Sequence, residues 1–239
     1  MSDTQLTPAD AVPEAQIDVH LSAVAVRQAG MEGVWQSRAE AAARHLDPVA
    51  RQRILTQATS ARTRAQRVFW LRRAGDALVA ATAASSACKP GCSACCNIGV
   101  SISEAEAAVI GKEIGRAPTN IPADLCDTTP SPSEGVEVIE AALVKFQAMA
   151  KRYYGTPCTF LVNHTCSIYE SRPIACRQLV NMDVDDLLCR IVPGHEVLVP
   201  HLDTRPEKLA YFLALGPGSR FADLREWFPS GIEAANKPA

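Results

Sequence analysis

The first 87 of the 239 residues contain no cysteine, and aromatic residues make up only 5% of the chain. No apolar run reaches the roughly 18–20 residues that a membrane helix needs; the stretch 77–87 is short and weakly hydrophobic. The opening residues, Met1–Ile17, carry Asp3, Asp10 and Glu14 with neither a basic nor an apolar segment, so nothing there resembles a secretory leader. The expectation is a soluble, cytoplasmic protein without membrane contact. A net charge of -2 supplies no basic field for a phosphate backbone, which sets nucleic acid aside as a partner. No glycine-rich nucleotide loop and no Ser-His-Asp pattern is found.

What is present reads mainly as helix. Residues 1–16 are polar, with Pro8 and Pro13, and read as a flexible tail. From 17 to 87 the text is rich in Ala, Arg, Leu and Gln with Pro48 alone, predicting an N-terminal helical region of two or three helices. Asp47 and Pro48 form an N-cap and a first helical position, opening a helix that runs through Ile54, Ala61, Val68, Leu71 and Leu78. Ile98–Ile102 alternates like a short strand, and Ser103 with Glu106 predicts a capping box for a helix from Glu104 to Ile114. Prolines at 118, 122, 130 and 132 mark a loop over 115–135, and Val136–Tyr154 carries a helical stripe. Thr159–Val162 and Cys166–Tyr169, around Asn163-His164-Thr165, predict a β-hairpin, after which Ser171 and Pro173 open a helix bearing Cys176 and Arg177. Beyond lie a strand at Val197–Val199, a helix at Pro206–Leu215 and a last helical turn within Phe221–Phe228. The fold class is mainly α with a small β-hairpin (α+β): a cysteine-cluster domain over 88–190, an N-terminal helical extension, and a C-terminal extension over 191–239 packed on it.

The nine cysteines carry the chemistry. Without an export signal, metal ligation or redox chemistry outranks disulfides as their use. Cys88, Cys92, Cys95 and Cys96 fall within nine residues, and on a helical turn such positions share one face. Thiolates favour zinc, copper(I) or iron-sulfur centres over calcium or magnesium. Cys158, Cys166 and Cys176 form a second group that folding could bring over the first. An isolated cysteine is more often a small buried apolar residue, and this is the preferred reading of Cys126 and Cys189. His164 sits on the predicted turn, where solvent exposure is preferred to ligation. His195 and His201 have no identifiable partner.

The segments Cys-Lys-Pro-Gly-Cys-Ser-Ala-Cys-Cys at 88–96 and Pro-Cys-Thr-Phe-Leu at 157–161, running on to Cys-Ser-Ile-Tyr-Glu-Ser-Arg-Pro-Ile-Ala-Cys-Arg at 166–177, resemble the YkgJ-type cysteine cluster family. That family is described as zinc- or iron-chelating and is similar to the cluster region of flagellin lysine methylases, whose centre is thought to be iron-sulfur. The resemblance implies zinc or iron, the latter as a [4Fe-4S] cluster in one form, held by a subset of Cys88, Cys92, Cys95, Cys96, Cys158, Cys166 and Cys176. Seven thiols exceed one tetrahedral site: two sites exist, or one uses four sulfurs. The first block has three residues between Cys88 and Cys92 where many members have two. Tyr169, Arg172 and Arg177 recur in the motif and are expected to support the ligands rather than to react.

Three functions follow from this pattern. The first is a metal-binding protein without catalysis, with the N-terminal helices as a surface for a protein partner. The second is an iron-sulfur-dependent, protein-modifying enzyme of the methylase kind. The spacing of Cys88, Cys92 and Cys95 equals that of radical S-adenosylmethionine enzymes, but Ala94 replaces the usual aromatic residue and no barrel-building repeat of strands and helices follows. The third is a thiol redox sensor using Cys95-Cys96 and the surplus cysteines.

Overall fold

The computed structural model describes residues 11–89, 91–128, 144, 148 and 151–230. Four helices form the N-terminal region, where two or three are expected: α1 (Ile17–Ala29), α2 (Met31–Ala43), α3 (Pro48–Ser60) and α4 (Arg64–Thr82). The carboxylate of Asp47 accepts the N–H groups of Val49 and Ala50 at 2.9 and 3.0 Å, as the Asp-Pro pair predicts. The single helix expected to continue to Leu78 is instead two. Ala61 is extended, and Thr63 and Gln66 form a reciprocal capping box that starts α4.

Folding α3 back onto α4 brings Leu55 and Ala58 against Val68, Leu71 and Ala74. This stripe buries itself against α6 (Ile174–Gln178) through Ile174 and against α7 (Arg205–Leu215) through Tyr211, Ala214 and Leu215. The N-terminal helices therefore share a core with the segment that bears Cys176. Of the stretch read from sequence as a loose tail, Ala11 and Val12 dock against Ile191: Val12 is buried and its N–H donates to the Ile191 carbonyl at 2.8 Å. Residues 1–10 of that stretch lie outside the described residues.

A second core lies under the cysteines. It joins Val100, Ile102, Ile110, Phe160, Ile168, Leu224, Trp227 and Phe228, with Cys126, Cys158, Cys166 and Cys176 packed against it. Helix α5 (Glu104–Glu113) starts where expected, with Ser103 accepting the Glu106 N–H. Glu106 does not complete the capping box. Its carboxylate is buried and accepts from the Ile174 N–H at 2.7 Å and the Tyr211 hydroxyl at 2.5 Å, so it caps α6 instead.

Strands β1 (Ser101–Ser103) and β2 (Asp127–Thr128) flank β5 (Arg220–Asp223) in an antiparallel sheet, with Ile102 opposite Ala222 and Asp127 opposite Phe221. Two corrections follow. The expected loop over 115–135 contains β2, and the last helical turn expected over Phe221–Phe228 is half strand, with α8 limited to Leu224–Trp227. Both have one cause, because the short strand β5 pairs on its two sides with segments distant in sequence, which local periodicity cannot show. Val197–Val199 forms no strand; those residues have no ladder partner. Of the helix expected over Val136–Tyr154, positions 144, 148, 151 and 152 are helical and 153–155 turn, and the rest lies outside the described residues.

The predicted hairpin is present but short, as β3 (Leu161–Val162) and β4 (Thr165–Cys166). Its two central residues, Asn163 and His164, both have positive φ, 49° and 60°, the conformation of a type I′ turn.

Candidate metal centre

The first cysteine block is not the single helical face that its spacing permits. Gly91 has φ 84°, outside helical space, and Cys95 and Cys96 lie in a 3-10 turn, Ala94–Asn97. The turn compresses the block so that Cys88, Cys92, Cys95 and Cys96 all face one cavity of about 280 Å³. Cys158, Cys166 and Cys176 line the same cavity from the hairpin side. No disulfide joins any of the described cysteines.

Backbone contacts hold the two blocks together. The Cys158 N–H donates to the Cys96 carbonyl at 2.7 Å, and the Gly155 N–H to the Asn97 carbonyl at 2.7 Å. Arg225 ties the same joint from behind, donating to the carbonyls of Cys96 (3.2 Å), Ile98 (3.0 Å), Thr156 (2.5 Å) and Pro157 (3.1 Å). Its charge is balanced by Asp223, fully buried, at 3.0 Å. Sequence reasoning missed this pair. The one local signal was Asp223 with Glu226, a capping box for α8, which explains the carboxylate but not its arginine.

The charged residues of the motif also have defined contacts. The Arg172 guanidinium stacks 4.0 Å over the Tyr169 ring. Arg177 donates to the carbonyls of Arg172 and Glu170 and pairs with Asp76 of α4, locking α6 against that helix. His164 is exposed at the cavity mouth, where Lys89 and Arg172 also stand. His195 is exposed as well, and its carbonyl accepts from the Tyr154 hydroxyl at 3.2 Å. Cys126 does not line the cavity; it packs on the second core.

Residues 87–191 match the family model CxxCxxCC, described as a putative zinc- or iron-chelating domain. The match takes in all nine cysteines and is consistent with the YkgJ-type resemblance. No curated protein and no solved structure matches.

The electrostatics of the matched segment are consistent with that description. Burial raises the thiol pKa of Cys92, Cys158, Cys166 and Cys176, and neighbouring sulfurs raise each further. Cys96 is raised as well, first by its hydrogen bond with Cys95 and then by burial. Crowded thiolates cannot all ionise in a dry site unless a cation offsets them, and a soft divalent metal ion supplies that charge. Among the described residues no three His, Cys, Asp or Glu side chains form a ready-made metal site. The sulfurs line a shared space. None of the described helices is long and apolar enough to cross a membrane.

Proposed function

We propose that this chain is a metal-binding protein that holds zinc or iron through thiolates drawn from Cys88, Cys92, Cys95, Cys96, Cys158, Cys166 and Cys176, with residues 88–190 as the metal unit and the N-terminal helices as its buttress. The carrying observation is that two cysteine blocks more than sixty residues apart line one cavity. When bound, the metal supplies charge that lets several thiols ionise together, and each ligand thiol gives its proton to solvent. Tyr169, Arg172 and Arg177 fix the segment between Cys166 and Cys176. A protein partner would meet the N-terminal helices, on which Val19, Val26, Val49 and Phe69 are individually exposed.

The test is elemental analysis of chain purified without oxygen, together with Cys92→Ser, Cys176→Ser and Cys126→Ser variants. Metal content and stability should fall together in the first two and hold in the third. Unchanged metal in both Cys92→Ser and Cys176→Ser would sink the ligand assignment.

The cavity is roomier than one ion requires, which favours a second reading: an iron-sulfur centre beside a small bound molecule, in an enzyme. Iron with acid-labile sulfide and a visible absorption band would support it. Zinc without such a band would leave the handling or structural role.

A further inference from the structure

The cavity that the cysteines line has cations and no acid. Lys89, His164 and Arg172 stand on its lining, and among the described residues that line it there is no aspartate or glutamate. Apolar side chains supply much of the rest: Val79 and Ala83 at the end of α4, Leu179 and Val180 just after α6, and Phe160 and Leu224 from the second core. At about 280 Å³ the space comes close to the roughly 300 Å³ at which small-molecule sites begin.

Arg172 differs from the other arginines in this part of the fold. Arg72, Arg177 and Arg225 each pair with a carboxylate, those of Glu113, Asp76 and Asp223. The Arg172 guanidinium pairs with none among the described residues. It lies 4.0 Å from the centre of the Tyr169 ring, and its Nε is buried without an acceptor. Leaving a buried charged donor without an acceptor is costly. Stacking on the ring also holds the guanidinium plane in one orientation, which presents its donors as a fork that matches the two oxygens of a carboxylate. Lys89 adds a second, exposed cation on the same lining.

These features select a ligand by chemistry. Apolar walls penalise a molecule that is polar throughout, and a guanidinium without an acceptor gives little to a molecule that lacks an anionic group. A small organic acid satisfies both, with an apolar body against the walls and one carboxylate on the guanidinium.

We propose that the cysteine-lined cavity binds a small organic anion, a carboxylate on an apolar body, held by Arg172 and Lys89 with Tyr169 keeping the guanidinium in place. This deepens the second reading above, a small molecule beside the metal centre, by giving that molecule its chemical class.

The experiment is calorimetric titration of the full-length chain, purified without oxygen, with hexanoate and with its neutral counterpart hexanamide, zinc and iron being assayed in the same samples. Hexanoate should bind the parent chain about tenfold or more tighter than hexanamide, and Arg172→Gln should abolish that preference by weakening hexanoate alone. No preference in the parent chain overturns the anion site. A preference that survives Arg172→Gln places the carboxylate elsewhere, on the metal for example, and overturns it too; a fall of both affinities together makes Arg172 a structural residue of the cavity and does the same. Should Arg172→Gln fail to fold, Lys89→Gln replaces it, with hexanoate weakened by about twofold to fivefold and hexanamide unchanged; equal affinities in Lys89→Gln and parent overturn the assignment of the cations. A parent chain that holds neither zinc nor iron overturns the metal reading, while its preference between the two probes still decides the anion site.

Discussion

Arg225 donates to the carbonyl oxygen of Cys96 at 3.2 Å, from a position 129 residues further along the chain. The carbonyl that takes this bond also takes the N–H of Cys158, so a single oxygen joins the first cysteine block, the second and the C-terminal segment. Replacing Arg225 by Met keeps much of the packing but leaves the Asp223 carboxylate buried without its cation and takes one donor from each of four carbonyls. Breaking a buried pair in this way costs about 3–5 kcal/mol. Urea unfolding of Arg225→Met should show a loss of that order, and metal analysis a lower content. A variant of unchanged stability would mean that the backbone bonds alone hold the joint.

Gly75 of α4 and Arg177 of α6 meet so closely that a Cβ at Gly75 would stand 2.9 Å from the Cβ of Arg177. Gly75→Ala would gain about 1 kcal/mol from helix propensity. It would lose about 1–3 kcal/mol because Arg177 is fixed by its own hydrogen bonds and cannot swing aside. The expected result is a net fall in stability, with weaker metal retention because Cys176 precedes the displaced residue. A more stable Gly75→Ala would show that α6 can shift freely.

How far the sequence foretells these features depends on the range of the interaction behind each. The Asp47-Pro48 cap, the Ser103 cap and the hairpin around Asn163 are local, and each is legible in a few residues. Thr63 and Gln66 were equally local, but the apolar stripe continuing from Ile54 to Leu78 masked the break that their capping box makes. Strand β5, the role of Glu106 as a cap on α6, and the Arg225 joint all depend on partners about 70 to 130 residues away, for which no spacing rule exists. The cysteines themselves were conspicuous by density. Cys189 was not; the side-chain N–H of Asn181, which its sulfur accepts at 3.1 Å, is placed by the turn between them.

His201 lies beside Asn181 in an antiparallel bridge, and burial, aided by Lys208, lowers its pKa from 6.5 to about 4. The unfolded chain therefore binds a proton at this residue over a range where the folded chain does not. Stability from this source is complete above pH 6.5 and is lost as pH falls toward 4, by up to about 3 kcal/mol. Metal-free chain should show that decline in urea midpoints, and His201→Gln should flatten it. An identical pH profile in the variant would assign the acid sensitivity to other groups.

His164 separates two roles that one substitution can distinguish. Its φ of 60° costs a β-unbranched residue little, but glycine adopts it more readily, and Asn followed by Gly is the preferred centre of a type I′ turn. Glycine also raises the entropy of the unfolded chain, which offsets part of the gain. His164→Gly should therefore leave stability unchanged or raise it by up to about 1 kcal/mol, with metal content intact. The side chain is exposed at the cavity mouth, within the same lining as Cys166, so a ligand role makes the opposite prediction. Loss of about one equivalent of metal in His164→Gly, with the hairpin still folded, would make the imidazole a ligand and the turn merely its mount.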